Sequence, residues 1–336
     1  MKTVNKVVTA VSVLVLVLLS TYVLQLWNIN VVTNITSANN DSNLTLGMPT
    51  KAVGYNISDS QQATDVYEDS NVSMELWQLR PNLWGLTSGN GQTTINYTGH
   101  GLVTINVNMT NTTGYVSSPN LHYGKWSQSN DTTGQIPKFP IQLNVLSYLI
   151  VDVNYSLQST TSYNGDISYD LYYKNTTSEQ GNWNYETMIW LYRQNILPYG
   201  SMENVIYIPV TVNGISKVLP FEVWVGGNQF TGNDSVIIFK LSDNYTIASG
   251  DVLLDMSQFI AYSEIRLNIP TSDYIPFIEL MSEFEANSTT NNGNPNYTLS
   301  IYKFSITPSG RVSPFTTYQS ILLRSFFYTI TKKLGL

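Results

Sequence analysis

Between residues 71 and 307 the chain is a succession of short runs rich in β-branched and aromatic residues. They are Leu102–Val107, Ile141–Tyr155, Ile167–Tyr173, Tyr185–Tyr192, Val205–Val212, Pro220–Val225, Val236–Leu241, Phe277–Phe284 and Tyr297–Ile306. Asn90-Gly91, Asn164-Gly165, Asn213-Gly214 and Gly226-Gly227 punctuate them. Such side chains suit a pleated, half-buried surface, and Asn-Gly accepts the positive φ of a tight hairpin. The pattern predicts an all-β, antiparallel sandwich or barrel. One segment departs from it. Asp251 is placed to cap a helix over Val252–Ser263, with Leu253, Met256 and Ile260 at helical spacing on one side. One helix packed on a β-sandwich is therefore expected.

Strand periodicity sorts the residues of Asn184–Leu191 into two faces. Tyr185, Thr187, Ile189 and Leu191 form a core face. Glu186, Met188 and Trp190 form the other, which sets a carboxylate in an apolar row, where an unpaired charge costs free energy. A second strand, Phe277–Glu285, puts Glu279, Met281, Glu283 and Glu285 on one side. In Ser168-Tyr169-Asp170-Leu171-Tyr172, Asp170 lies on a strand that precedes the Glu186 strand and can pair with it. Paired carboxyls are what cleavage of a glycosidic bond requires. One is ionised and attacks the anomeric carbon; the other donates a proton to the leaving oxygen. In retaining enzymes they stand about 5–5.5 Å apart. Burial and like charge push their proton affinities apart, so one pair can hold both states.

Composition narrows the alternatives. The chain carries 12% charged residues and a net charge of −7, which argues against a nucleic-acid partner. Cys is absent, so a disulfide framework, a thiolate metal site and a cysteine nucleophile are excluded. The two histidines, His100 and His122, sit in no chemical motif, and neither a metal nor an organic cofactor is implied.

The ends differ from the middle. Lys2 and Lys6 precede an apolar, charge-free run from Val7 to Trp27, close to the ~20 residues of a bilayer-spanning helix. Residues 1–27 read as a signal peptide or an N-terminal hydrophobic helix anchoring the chain, with the rest outside the cell. Residues 28–70 are dominated by Ser, Thr, Asn and Asp and read as a stalk, its last part folding onto the domain. Fifteen Asn-x-Ser/Thr sites run along the chain, and several are expected to carry glycan. In residues 309–336, Arg311, Arg324, Lys332 and Lys333 alternate with apolar residues. A helix docked on the sandwich is expected there, with a membrane-surface segment as the alternative.

Tyr185-Glu186-Thr187-Met188-Ile189-Trp190-Leu191 resembles the nucleophile signature of glycoside hydrolase family 12, endoglucanases with a β-jelly-roll. Ser168–Leu171 is similar to the strand that carries the family's assisting Asp. Met281-Ser282-Glu283-Phe284 resembles its acid/base motif, with Met281 and Ser282 where the family has Gly and Thr. Asn82-Leu83-Trp84-Gly85 and Leu197-Pro198-Tyr199-Gly200 match two further family segments. The resemblance covers residues 71–308 and implies a jelly-roll of two antiparallel sheets and a retaining endo-β-1,4-glucanase. It implies Glu186 as nucleophile, Glu283 as acid/base and Asp170 as assistant, with Glu279 and Glu285 as the alternatives for the acid. It also implies sugar contacts from Asn82, Trp84, Trp190 and Met188. Xylan, xyloglucan and mixed-linkage glucan remain open as substrates, and a non-catalytic glycosylated surface protein is the reading from another class. A monomer is expected. Low charge content and the resemblance together suggest an archaeal source living hot and acidic.

Overall fold

The computed structural model describes residues 46–47, 55–60, 73–74, 77–83, 85–97, 102–114, 116–124, 139–146, 148–177, 183–227, 234–285, 294–309, 321–323, 325–326 and 328–330. The main strands are β1 (Trp77–Arg80), β2 (Leu86–Tyr97), β3 (Val103–Gly114), β4 (Asn120–Gly124), β5 (Tyr148–Ser159), β6 (Gly165–Tyr173), β7 (Tyr185–Gln194), β8 (Ser201–Val212), β9 (Ile215–Gly227), β10 (Asp234–Leu241), β11 (Ser249–Asp255), β12 (Phe277–Glu285) and β13 (Asn296–Ser309). The helix α1 (Met256–Leu267) interrupts them once.

Hydrogen bonding arranges the strands in two layers. One runs β2–β3–β13–β5–β11 and ends on the tip of β8. The other runs β1–β4–β12–β6–β7–β10–β9–β8. The long β8–β9 hairpin therefore joins the layers, and Asn213-Gly214 turns it with φ of 51° and 76°, the two-residue turn expected of that dipeptide. All pairings of the second layer are antiparallel except β7–β10, which is parallel and sets Glu186 opposite Val236. The sequence pattern predicts a purely antiparallel sandwich. The exception arises because the β8–β9 hairpin leaves β7, and β10 returns into the space between β7 and β9.

Between the layers, Val151, Val153, Leu299 and Ile301 meet Ile167, Leu171, Ile189, Leu191, Ile278 and Leu280, all at most 1% exposed. Burial on this scale is the main favourable term in folding. The reverse side of the second layer carries a smaller cluster of Met188, Trp190, Val236, Ile238 and Met281. Strand alternation thus divides β7 as its sequence requires, with Ile189 and Leu191 in the main core and Met188 and Trp190 on the other face.

Three expectations need correction. Val252–Asp255 is not helical: it belongs to β11, where Val252 and Leu254 alternate into the core at 0% exposure. Pairing with β5 and β8 overrides the local helical spacing, so α1 begins at Met256 and its cap is Asp255. The Asp255 carboxylate accepts from the Ser257 amide at 3.0 Å and the Leu149 amide at 3.2 Å. Asp255→Ala should lower stability by about 1–2 kcal/mol, while Asp251→Ala should cost less than half as much; thermal unfolding of the two variants compares them. Asn90-Gly91 is not a turn but lies inside β2, where Gly91 has φ 120° and a Cβ would meet the Asn108 carbonyl at 2.0 Å. The run expected over Ile141–Tyr155 is broken by a 3₁₀ turn at Leu143–Val145.

The presumed stalk contributes to the sandwich: Tyr55–Ser60 pairs with β2, and Leu46–Gly47 with β13. In the tail, helical residues dock on β8. Ser325 Oγ accepts from the Tyr207 amide at 3.0 Å, and the Tyr328 ring lies 4.1 Å from that of Tyr207. Residues 1–27 lie outside the described residues. No described helix is long and apolar enough to cross a membrane.

Candidate active site

The face of the second layer that bears Met188 and Trp190 also carries the carboxyls. β6 runs between β7 and β12, so each of its residues faces a partner on either side. One row is Tyr172 opposite Glu186. The next is Met188, Asp170 and Glu279, followed by Trp190, Ser168 and Met281. A bulge on β7 at Leu191 shifts the register, and the last row is Asp166 opposite Glu283. Asp170 and the two expected catalytic carboxyls therefore share one surface, with Glu186 and Glu283 on the strands that flank Asp170.

Electrostatics separates their roles. Asp170 is 1% exposed, and its Oδ2 accepts from the Tyr172 hydroxyl at 2.7 Å. Burial drives its proton affinity well above the ordinary carboxyl range, and the charges of Glu186 and Glu279 add to that. Asp170 is thus a neutral group able to donate. Glu186 is pushed up to about 7, first by burial and then by Glu279, while the neighbouring Asp170 and Tyr172 pull it back down. Polar neighbours of that kind favour the charged form of Glu186. Glu283 is raised well above its usual value by burial, then by Asp166, Glu186 and Glu285.

The alternatives for the proton donor are otherwise engaged. Glu279 is 4% exposed and ion-paired with Arg80 at 3.6 Å, both side chains being buried. Glu285 accepts from the Asn164 amide at 3.1 Å at the end of β12. Glu283 is half-buried and has no such partner among the described residues, and its proton affinity is raised.

Of the expected sugar contacts, Met188 and Trp190 are buried, 7% and 3% exposed. They pack with Val236, Ile238 and Met281 as the floor beneath the carboxyls. Trp190 therefore offers little face for stacking. The partly buried Trp183 and Trp224 lie against this floor. The Trp183 ring is 5.4 Å from Tyr172, and the Trp224 indole donates to Glu222 at 3.2 Å. Asn82 has φ 42° and donates to Ser118 Oγ at 2.9 Å, beside the start of β4. Trp84 and His100 lie outside the described residues. His122 stands on β4 opposite Glu279 in the backbone register.

Sequence reasoning overlooked Tyr172, Asp166, Arg80, Trp183 and Trp224. Tyr172 and Asp166 were within reach, since they sit two and four residues from Asp170 and share its face by strand period. Arg80 was not, because β1 reaches Glu279 only through β4.

The comparisons agree with this architecture. The family model described as Glycosyl hydrolase family 12 matches residues 75–306. Among solved structures, a metagenome-derived family 12 endoglucanase is 17% identical, covering 77% of this chain and 99% of its own, with a TM-score of 0.54. Endoglucanase cel12A from Rhodothermus marinus is 18% identical over 76% of this chain and 100% of its own, TM-score 0.55. A family 12 xyloglucanase from Bacillus licheniformis is 18% identical over 76% and 99%, TM-score 0.56. No curated protein sequence matches the chain. At such identities the likeness to the solved structures is one of fold. The family model, however, spans from the strand that carries Arg80 to the strand that completes the first layer, and the chain belongs to glycosyl hydrolase family 12.

Proposed function

We propose that this glycoside hydrolase is an endo-β-1,4-glucanase acting with retention of configuration. Glu283 gives its proton to the glycosidic oxygen while Glu186 attacks the anomeric carbon. Glu283, now a carboxylate, then takes a proton from the water that displaces Glu186 from the sugar. Asp170 serves as the neutral donor that keeps Glu186 charged. The observation that carries this reading is the register that sets Tyr172 opposite Glu186 and Asp166 opposite Glu283 on one face, with Asp170 between them accepting from Tyr172.

The substrate class draws support from similar structures that are named endoglucanases and xyloglucanase. Trp183 and Trp224 suit stacking on sugar faces, since their rings are partly exposed beside an apolar floor. Reducing ends should appear from carboxymethylcellulose, and the first product seen by proton NMR should be the β anomer. Release of the α anomer would exclude a double displacement, and no release from any β-1,4-glucan between acidic and neutral pH would exclude the enzyme. Faster turnover of xyloglucan, xylan or mixed-linkage glucan would change the substrate and leave the mechanism in place.

Export, with residues 7–27 cut off or left as a tether, fits the apolar run and its flanking lysines. The mass of the mature N-terminus decides between the two.

A further inference from the structure

Asp166 is one of the buried carboxyls that the proposed reaction leaves unused. It is 0% exposed, on the same face of β6 as Asp170 and four residues before it. Its Oδ1 accepts from Ser168 Oγ at 2.6 Å. Its Oδ2 is buried and has no hydrogen-bond partner among the described residues. A buried polar atom left without a partner is rare in a native fold and calls for a reason. Its cross-strand neighbour on β7 is the cation Arg193. That guanidinium is turned elsewhere, to Asp243 at 2.6 and 2.9 Å and to the Ile196 carbonyl at 2.7 Å. The neighbour on the other side is Glu283.

The position of Asp166 is fixed by packing. Gly165 precedes it, and a Cβ there would meet the Glu283 carbonyl at 2.2 Å and the Tyr163 ring at 2.5 Å. β6 and β12 therefore approach closely at this row, and the register cannot slip without a clash.

We infer that Asp166, opposite Glu283 across the β6–β12 pair, is the positioning residue that keeps Glu283 as the proton donor. The inference rests on the reading of Glu283 as acid/base. One strand, β6, then carries two support carboxyls, each serving a catalytic glutamate on a different neighbouring strand. Physically, once Asp166 has lost its proton, its charge across the strand pair opposes the loss of a second proton from Glu283. Burial raises Asp166 to about 8, and the Ser168 hydroxyl lowers it in part. Asp166 in turn is the largest charged contributor holding the proton on Glu283, ahead of Glu186 on β7 and Glu285 on β12. The remaining ionisable groups near Asp166 are the buried hydroxyls of Tyr163 and of Tyr297 on β13.

The test uses the full chain and two substrates, an unmodified cello-oligosaccharide and its 2,4-dinitrophenyl glycoside. The second has a leaving group that departs without a proton. The ratio kcat/KM reports events up to the first irreversible step, and so isolates the acid role. Above about pH 8, where Asp166 is charged, Asp166→Asn should lose about 10–100-fold in kcat/KM on the oligosaccharide and less than about 3-fold on the aryl glycoside. The alkaline limb of the oligosaccharide profile should move to lower pH, because Glu283 gives up its proton more readily. Ser168→Ala should move that limb the same way by a smaller amount, since Asp166 then keeps its own proton longer. Equal losses on both substrates with an unmoved limb would overturn the inference and leave Asp166 a structural residue. If Asp166→Asn does not fold, the Ser168→Ala profile decides alone, and an unmoved limb overturns it. Glu283→Gln separates this from the underlying reading. If that variant shows no dependence on leaving group, the assignment of the acid fails; if it does and Asp166→Asn does not, only the present inference fails.

Discussion

Glu186→Gln is expected to reduce kcat on a β-1,4-glucan by about 10⁴-fold or more, as removal of a covalent nucleophile does elsewhere. Gln has nearly the shape of Glu, and position 186 is half-buried near the start of β7, so the fold should persist. What disappears is the charge that attacks the sugar. Asp170 and Tyr172, which favour the charged form of Glu186, would then face an amide in place of a carboxylate. Asp170→Asn should cost less, about 10–10²-fold, because Glu186 keeps its charge and loses one donor. The pH at which activity rises on the acid side should move upward in that variant, since the lost carboxyl is one of the neighbours that lower the proton affinity of Glu186. Stopped assays across pH on the three proteins check all of this. Wild-type turnover by Glu186→Gln would remove Glu186 from the mechanism, whatever became of the other carboxyls.

How much of this is legible in the chain differs from element to element. The two faces of β7 are, because Glu186, Met188 and Trp190 alternate with four core residues and the structure preserves that division. The placement of Asp170 between the strands of Glu186 and Glu283 is legible in part. Pairing with β7 follows from chain order, but pairing with β12, more than 100 residues later, does not follow from any local signal. The start of α1 misleads for a physical reason: Val252, Leu254 and Met256 satisfy both a strand period and part of a helical one, and the vacancy between β5 and β8 selects the strand. β2 is hard to see because Thr93 and Thr94 and the Asn90-Gly91 pair look like loop, while Ile95 and Tyr97 supply its buried side. The residue type of Trp190 suggests a sugar platform. Its burial beneath Met281 and Ile238 assigns it to the floor, and periodicity cannot tell a floor from a platform when both lie on one face.

The same buried carboxyls make stability depend steeply on pH, in the direction opposite to most proteins. Glu186 and Glu264 are each raised to about 7, and Asp166 to about 8, chiefly by burial. Asp170 and Glu283 shift the same way. Below the ordinary carboxyl range of about 4, folded and unfolded chains both hold these protons and no group tips the balance. Above about 4 the unfolded chain releases them, whereas the folded chain holds those of Glu186 and Glu264 up to about 7 and that of Asp166 up to about 8, so folding takes up protons and stability falls as pH rises through this window. A tenfold difference in proton affinity between the two states corresponds to about 1.4 kcal/mol, so Glu264 alone, away from the catalytic row, contributes roughly 3 kcal/mol. Opposing groups are few. Asp243 is lowered to about 2 by hydrogen bonds from Arg193 and Lys240, so its contribution is lost only as pH falls through about 2, and its exposure makes it small. The midpoint of thermal unfolding should therefore be at least about 10 °C higher at pH 4 than at pH 8. Glu264→Gln should flatten part of that slope without touching the cleft, because an amide at this position has no proton to release. A midpoint that stays level or climbs between pH 4 and 8 would mean that these carboxyls are ionised in the folded protein. The proton on Glu283, and with it the division of labour across β6, would then have to be abandoned.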